Sequence, residues 1–399
     1  MDFSLTEPQI MLQRTIREFV EKELKPVVHE FDAKLNPKEC VPRELLRKAS
    51  KLGFRTYAVP LEYGGGGMGD HVTQTMIQEE LSVGDMGFAE ALLATAKFAN
   101  WLCRVASQEI LDEFIPQIVE DDDYHISVAA SEPNHGTDIN VPMDIPGVNL
   151  DTVAKRDGDE YVINGTKMWI TNGGIAKLYA VFATTDRQAP LSKGVSMFLV
   201  PLDTLGFTVV KIHDKLGTRL RTNAELVLDN VRVPARYMLG KENEAFDLMA
   251  RYPVAVGSAG GLLLGAMRAC YEETMEFART RIQGGRLIIE YPTIAVKVAD
   301  MRAKIEATRL LQYKSSWNVD NNCEDPGLTY VIAGFQRDAA LSIVNHTLDI
   351  FASVAIDREA RIEKLVRDIC SNWHDYGSSD MNRVLSVKMS QDPGKTAAF

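Results

Sequence analysis

The spacing of apolar residues changes twice along this chain, and these two changes limit the folds that it can adopt. In the first part, apolar side chains recur at helical spacing, as at Leu12, Ile16 and Phe19. Between residues 125 and 234 the pattern becomes a series of short β-rich runs, and helical spacing then returns. In a chain of 399 residues, this order predicts an α+β protein with more than one domain.

The changes in spacing also suggest where the domains meet. We expect an N-terminal helical domain at residues 1–124, a middle β domain, a small barrel or sandwich, at 125–238, and a C-terminal helical bundle at 239–399. Thr6–Ile10 has a capping-box pattern that begins the first helix. The run Gly64–Gly67 is either a flexible linker or a tight turn. Further helices are expected near residues 43–53, 71–83, 87–105 and 107–120.

Composition excludes several classes of function. The formal net charge of −11 and the absence of a Lys/Arg-rich run argue against a nucleic-acid partner or an anionic membrane. The five cysteines lie far apart and form no CxxC pair, so neither disulfides nor a metal site is expected. The first residues lack a basic segment followed by an apolar core, and no eighteen apolar residues run together. We therefore expect a soluble cytoplasmic protein.

Two runs in the middle of the chain carry the strongest chemical signal. Ala129–Asp138 ends a β-like segment in a Glu-Pro-Asn-His-Gly turn, where Pro fixes φ and Gly allows positive φ. Trp169–Gly174 ends another segment and places an aromatic face, a hydroxyl and backbone amides within one turn. A flat, hydrogen-bonding heterocycle would need such groups, although two ordinary strand ends with polar turns would have the same composition.

The run "SEPNHGTD" followed by "KMWITNGG" resembles the two flavin-binding segments of the acyl-CoA dehydrogenase family. The runs "VPLEYGGGGMG", "KLGTRLRTNAELVLDNVRVP" and "REARIEKLVRD" extend the resemblance over nearly the whole chain. The resemblance implies a helical N-terminal domain, a middle β-barrel domain and a C-terminal four-helix bundle. It also implies FAD as cofactor, an acyl-CoA substrate, an electron-transfer flavoprotein or similar acceptor, and a homotetramer.

The resemblance assigns the cofactor contacts to particular residues. It implies that the flavin ring is contacted by residues of both runs, namely Ala130, Ser131, Trp169, Ile170 and Thr171.

Other cofactor contacts lie outside the two runs. Thr137 matches a family position near the CoA pantetheine or phosphates, and Arg281 matches an arginine directed at the FAD pyrophosphate, usually across a subunit interface. Ser378 and Asp380 are further expected cofactor contacts. Gly284 stands where the family usually has an aromatic residue, so the contacts to the ADP half of FAD are expected to be unusual.

The usual catalytic base of the family is missing. The family removes the α-proton of the thioester with a glutamate in a Tyr-Glu-Gly-Thr segment, and Tyr376 stands at that position here. A phenol, with an ordinary pKa of about 10, is a poor base at neutral pH. A second position that some members use matches Ala255, which is not acidic either. Shifting the alignment by one residue would make Asp375 the base.

Glu90 is the remaining candidate, because it lies in the apolar run Met86–Leu93 with no cation three or four residues away. Burial would raise its pKa and favour general-base catalysis, whereas a place on a solvated edge of the helix would give it no catalytic role. The resemblance puts this helix along the acyl pocket.

A lost glutamate together with a carboxylate on this helix resembles the variants that convert cyclic enoyl-CoA substrates, such as cyclohex-1-ene-1-carboxyl-CoA, into conjugated dienes by 1,4-elimination. A non-oxidative acyl-CoA lyase or desulfinase and a flavin monooxygenase on the same scaffold remain alternatives.

Overall fold

A computed structural model of the chain describes residues 4–140, 145, 147–251, 260–372 and 378–391. The first helix begins at the predicted capping box, where Gln9 Oε1 accepts a hydrogen bond from the backbone N–H of Thr6 at 2.8 Å. The helices of the first part are α1 (Glu7–Phe19), α2 (Lys25–Asp32), α3 (Arg43–Lys51), α4 (His71–Gly84), α5 (Met86–Val105) and α6 (Gln108–Glu120). A π-helical turn joins α1 to α2.

The glycine run between α3 and α4 is a tight turn, and the linker interpretation is therefore wrong. The N–H of Gly66 donates to the carbonyl of Thr56 at 3.0 Å, and that of Gly67 donates to the carbonyl of Val59 at 2.9 Å. A Cβ atom on Gly65 would lie 2.2 Å from the Val59 carbonyl oxygen. Glycine is required there because the backbone approaches itself too closely for any side chain.

The middle of the chain forms an eight-stranded sheet. Its strands are β1 (His125–Ala129), β2 (Val153–Asp157), β3 (Glu160–Thr171), β4 (Ala176–Thr184), β5 (Val195–Pro201), β6 (Phe207–Ile212), β7 (Asn223–Pro234) and β8 (Met238–Leu239). Their order is β6-β7-β3-β2-β4-β5-β8, with β1 parallel to β4. A short helix, α7 (Thr137–Asn140), follows β1, and Gly158, at φ 63°, turns β2 back onto β3.

Helices return after the sheet, as the spacing predicted. They are α8 (Ala245–Arg251), α9 (Gly260–Thr280), α10 (Pro292–Asp320), α11 (Pro326–Phe351), α12 (Arg361–Ser371) and α13 (Ser379–Gln391), with a hairpin of β9 (Ile282–Gln283) and β10 (Arg286–Leu287) after α9. Within the described residues, one segment, Gly327–Ile356, is long and apolar enough to cross a membrane by length and composition alone. It packs against α9, α10 and α13, as a helix of a bundle does.

Two hydrophobic cores hold these parts together, and α5 belongs to both. The bundle core joins the N-terminal helices to the C-terminal ones and includes Phe88 and Leu92 of α5. The sheet core joins α6 to the strands and includes Phe98 and Leu102 of the same helix. Lys97 lies where α5 passes from one core to the other.

Candidate active site

The structure brings the two chemically distinctive runs side by side. The hydroxyl of Ser131 donates to the carbonyl of Met168 at 2.8 Å, and the N–H of Met168 donates back to the carbonyl of Ser131 at 2.9 Å. These two bonds fix the end of the first run against β3 just before Trp169. The Ser131 hydroxyl has thereby used its proton and can only accept a hydrogen bond from a ligand.

A buried ion pair locks this junction. Lys167 Nζ donates to Glu132 Oε1 at 2.7 Å and to the carbonyl of Ala130 at 3.0 Å, and both charged side chains are fully buried. The Glu132 carboxylate also accepts from the N–H groups of Asp151 at 2.6 Å and Thr152 at 3.1 Å. Burial lowers the pKa of Lys167 to about 8, and the neighbouring Glu132 opposes that shift. Each charge thus has several partners within the fold, so the ion pair has a structural role.

A β-bulge determines the direction of the Trp169 side chain. The register of β3 against β7 shifts between Lys167 and Ile170, and Trp169 takes φ 63°, a left-handed conformation that is uncommon for a bulky residue. Its indole is consequently 54% exposed and stacks on the His213 ring with a centroid distance of 4.0 Å and an interplanar angle of 21°. Ile170 points the other way, into the sheet core, so only its main chain is available to a ligand.

Thr171 completes a surface that suits a flat ring. Asn223 Nδ2 donates to the carbonyl of Trp169 at 2.9 Å and to the hydroxyl oxygen of Thr171 at 3.3 Å. Because that oxygen acts as an acceptor, the hydroxyl proton remains for a ligand. Thr171, Ala130 and Ser131 are partly exposed, and the bonds between Ser131 and Met168 hold the first run beside the second. Aromatic face, donor and acceptor therefore lie together as a heteroaromatic ring would require.

Glu90 lies next to this surface, and its ion-pair partner is a residue outside its own helix. The carboxylate is 3% exposed and forms an ion pair with the guanidinium of Arg221, which is 131 residues away in the chain. The alternative of a solvated helix edge is therefore wrong. The idea that burial alone would control the protonation of Glu90 also needs correction, because a guanidinium stabilises the ionised form.

Asn172 ties α5 to the same turn. Its side-chain Nδ2 donates to the carbonyl of Ala91, the residue after Glu90, at 2.8 Å, and its N–H donates to the carbonyl of Thr222, the residue after Arg221, at 3.0 Å. One residue of the second run thus fixes the position of both members of the Glu90–Arg221 pair.

Comparison with known proteins identifies the architecture. Residues 6–122, 127–231 and 255–388 match, in turn, the sequence models of the N-terminal, middle and C-terminal domains of acyl-CoA dehydrogenases. A short-chain specific acyl-CoA dehydrogenase of Megasphaera elsdenii is 31% identical over 92% of this chain and 94% of its own. The chain belongs to the acyl-CoA dehydrogenase family. Its enzyme class is that of oxidoreductases acting on CH–CH groups, and the predicted fold is confirmed.

Other relatives agree with this assignment. A cyclohexane-1-carbonyl-CoA dehydrogenase of Geobacter metallireducens is 30% identical over 97% of this chain and 98% of its own. The solved structure of butyryl-CoA dehydrogenase from Megasphaera elsdenii superimposes with a TM-score of 0.88 at 28% identity, covering 98% of this chain and 100% of that one. Membership of the acyl-CoA dehydrogenase family implies FAD-dependent dehydrogenation. The residues around Trp169 fit such a ring.

The remaining residues assigned by the resemblance make no hydrogen bond to the residues around Trp169 within the described part of the chain. Thr137 is exposed at the start of α7, and Arg281 is exposed just after α9. Ser378 caps α13, accepting from the N–H of Met381 at 3.2 Å, and Asp380 is exposed in the first turn of that helix. Their cofactor roles remain predictions.

The catalytic alternatives in the C-terminal segment are not tested by this structure. Tyr376, Asp375 and Ala255 lie outside the described residues.

Proposed function

We propose that the protein is an FAD-dependent dehydrogenase of a cyclic acyl-CoA thioester, in which Glu90 replaces the missing C-terminal glutamate as base. The observation that carries this proposal is the position of Glu90, buried on α5 and held through Ala91 and Asn172 against the turn that follows Trp169. Bound FAD would supply the hydride acceptor, with Ala130, Ser131, Trp169 and Thr171 around its ring. Glu90 would take the proton in a 1,4-elimination that gives a conjugated diene.

Arg221 restricts the substrates for which Glu90 can act. Its guanidinium forms a buried ion pair with the carboxylate, the form of a glutamate side chain that can accept a proton, and orients it. Proton transfer to Glu90 would remove a charge that Arg221 stabilises. The proposed 1,4-elimination uses a γ-C–H bond that is acidified by conjugation with the thioester through a ring double bond. Saturated straight-chain acyl groups have an acidified α-C–H bond but no such γ-C–H bond.

The working assembly is proposed to be a cytoplasmic homotetramer that passes electrons to an electron-transfer flavoprotein or similar acceptor. Arg281 is exposed, which suits an arginine that reaches the FAD pyrophosphate of a neighbouring subunit. The site would then be complete only in the oligomer.

Glu90→Gln tests the base directly. The amide preserves the shape but cannot accept the proton, so anaerobic stopped-flow reduction of the flavin by a cyclic enoyl-CoA should slow by about 10²–10⁴-fold while substrate binds nearly as before. Glu80→Gln is the matched control, because Glu80 is also buried and paired with arginines, on α4. It should lower stability without slowing reduction. A Glu90→Gln rate within a few-fold of the parent rate would disprove the role.

Anaerobic mixing also separates the classes of reaction. A dehydrogenase bleaches its flavin without oxygen, a lyase or desulfinase turns over without bleaching, and a monooxygenase requires an external reductant and O₂. Heat-released cofactor should be FAD. Rapid reduction by butyryl-CoA would contradict the cyclic substrate and indicate that a base such as Asp375 operates.

A further inference from the structure

A lysine ammonium lies between two buried aspartates at a point where three parts of the chain meet. Lys364 Nζ on α12 donates to the carboxylate of Asp368 at 2.5 Å and also forms an ion pair with Asp85 at the start of α5. All three residues are at most 2% exposed. One cation therefore bridges two anions in the protein interior, where each charge needs close partners.

Asp85 fixes the start of the helix that carries Glu90. Its Oδ1 atom accepts a hydrogen bond from the N–H of Phe88 at 2.6 Å, as the side chain of an N-cap residue does. The partial positive charge of the helix N-terminus helps to balance the second carboxylate of the cluster. Glu90 follows this cap by about 7.5 Å along the helix axis. The position of Asp85 therefore determines where Glu90 lies.

Asp368 fixes the loop that carries Arg221. Its Oδ1 atom accepts a hydrogen bond from the N–H of Thr218 at 2.6 Å. Thr218 has φ 49°, a left-handed conformation that is unfavourable for a β-branched residue. Backbone strain of this kind persists only where the surrounding structure maintains it. The carbonyl of Thr218 accepts in turn from the N–H of Arg221 at 3.2 Å, so the bond to Asp368 also restrains the arginine.

Two glycines show how closely these segments pack. A Cβ atom on Gly87 of α5 would lie 3.0 Å from the carbonyl oxygen of Thr218. A Cβ atom on Gly217 would lie 2.4 Å from the carbonyl oxygen of Arg367 on α12. The loop is therefore in backbone contact with α5 on one side and with α12 on the other. A shift of one segment would displace the other two, because a close-packed interior transmits strain.

We propose that Lys364 is a positioning residue that sets the distance between Glu90 and Arg221. Each aspartate holds the backbone of the segment that carries one member of this pair, and the ammonium holds the two aspartates together. The inference rests on the proposed function, because the position of the pair matters for the reaction only if Glu90 accepts the proton. Misplacing a reacting group by about 1 Å can slow a reaction by about 10²-fold.

The test removes the bridge without leaving an unpaired charge in the interior. The triple variant Lys364→Met, Asp85→Asn and Asp368→Asn is neutral, and each asparagine keeps an oxygen that can accept from the same backbone N–H. The holoenzyme should keep its flavin absorption and bind a cyclic enoyl-CoA nearly as before, whereas anaerobic stopped-flow reduction should slow by about 10²-fold. Reduction within a few-fold of the parent rate would overturn the proposal.

Two single variants separate positioning from general stability. Lys364→Arg keeps a cation that can bridge both carboxylates, so reduction should stay within about tenfold of the parent rate. Glu80→Gln removes a charge from another buried network of ion pairs, which joins α4 to α1 and α9, and should lower the melting temperature without slowing reduction. An equal loss of rate in Glu80→Gln and in the triple variant would overturn the proposal, because lost stability would then explain both.

Combining the triple variant with Glu90→Gln shows whether Lys364 acts through the proposed base. If it does, the two effects should not multiply, because the group that is misplaced can no longer accept a proton. The combined variant should then reduce its flavin at about the rate of Glu90→Gln alone. A further slowing by the full factor of the triple variant would overturn the positioning role.

The proposed function and this inference fail separately. A parent rate in Glu90→Gln would reject Glu90 as the base. The crystal structure of the triple variant tests the positioning without any measurement of activity, because the ion pair between Glu90 and Arg221 should be broken or displaced there. An ion pair with the parent geometry would overturn the inference even if Glu90 is the base.

Discussion

Lys167 and Lys97 are both buried, and burial lowers the pKa of each to about 8, yet their surroundings differ completely. Lys167 meets the carboxylate of Glu132 and the carbonyl of Ala130, so its charge is satisfied within the fold. Lys97 faces a cavity and has no ion pair among the described residues. The same loss of solvent therefore has a different consequence for each lysine. A buried cation with built-in acceptors is part of the architecture, whereas one without them only carries the cost of its desolvation.

The largest expected effect on stability comes from replacing Lys167, whose charge is satisfied within the fold. Lys167→Met leaves the Glu132 carboxylate buried without a counter-ion, so the free energy of unfolding should fall by about 3–5 kcal/mol. Urea unfolding followed by circular dichroism measures this. The double variant with Glu132→Gln should recover part of the loss. A single variant as stable as the parent would place both lysines in the same class.

Asn172 tests the connection between the two regions. Asn172→Ala should destabilise by about 2 kcal/mol, because it removes the bond to the Ala91 carbonyl and because alanine adopts the left-handed conformation at φ 61° less readily than asparagine. Asn172→Gly should lose less, since glycine tolerates that φ. Thermal unfolding of the two variants compares them. An equal loss in both would show that the backbone conformation contributes nothing.

Lys97→Met should act in the opposite direction from Lys167→Met. No carboxylate among the described residues would lose its counter-ion, so the methionine removes only a desolvated charge. The unfolding free energy at pH 7 should therefore rise by about 1 kcal/mol. Urea unfolding under the same conditions provides the measurement. A loss of stability would mean that Lys97 stabilises the fold, as Lys167 does.

The smallest effect is a pH dependence of that gain. Folding lowers the pKa of Lys97 from 10.5 to about 8, so between these values the unfolded chain binds more protons and the parent becomes more stable as pH rises. The advantage of Lys97→Met should therefore be full below about pH 8 and shrink toward pH 10. Unfolding curves of both proteins at pH 7, 8.5 and 9.5 test the sign. An advantage that grows with pH would contradict it.

Periodicity predicted the fold well, because amphipathic spacing is written locally in the sequence. The helix expected at residues 87–105 is Met86–Val105, and the one at 107–120 is Gln108–Glu120. The site was only partly predictable. Arg221 was missed as the partner of Glu90, because no local pattern encodes a contact across 131 residues.

Other features of the site differ in how far the sequence could reveal them. The exposure of Trp169 depends on a bulge, which an alternating pattern does not show. Outside the site, Lys97 could have been found, since the reasoning that singled out Glu90, a charge in an apolar helix, applies equally to it.

The membership of α5 in both hydrophobic cores limits how this enzyme can be recombined with its relatives. Its first half is complementary to the C-terminal bundle and its second half to the sheet, so a foreign N-terminal segment would have to match two surfaces at once. Chimeras that exchange a single module should therefore misfold unless both neighbouring modules come from the same parent. During evolution, new specificity in such a chain is more readily acquired by point changes along α5 than by exchange of domains.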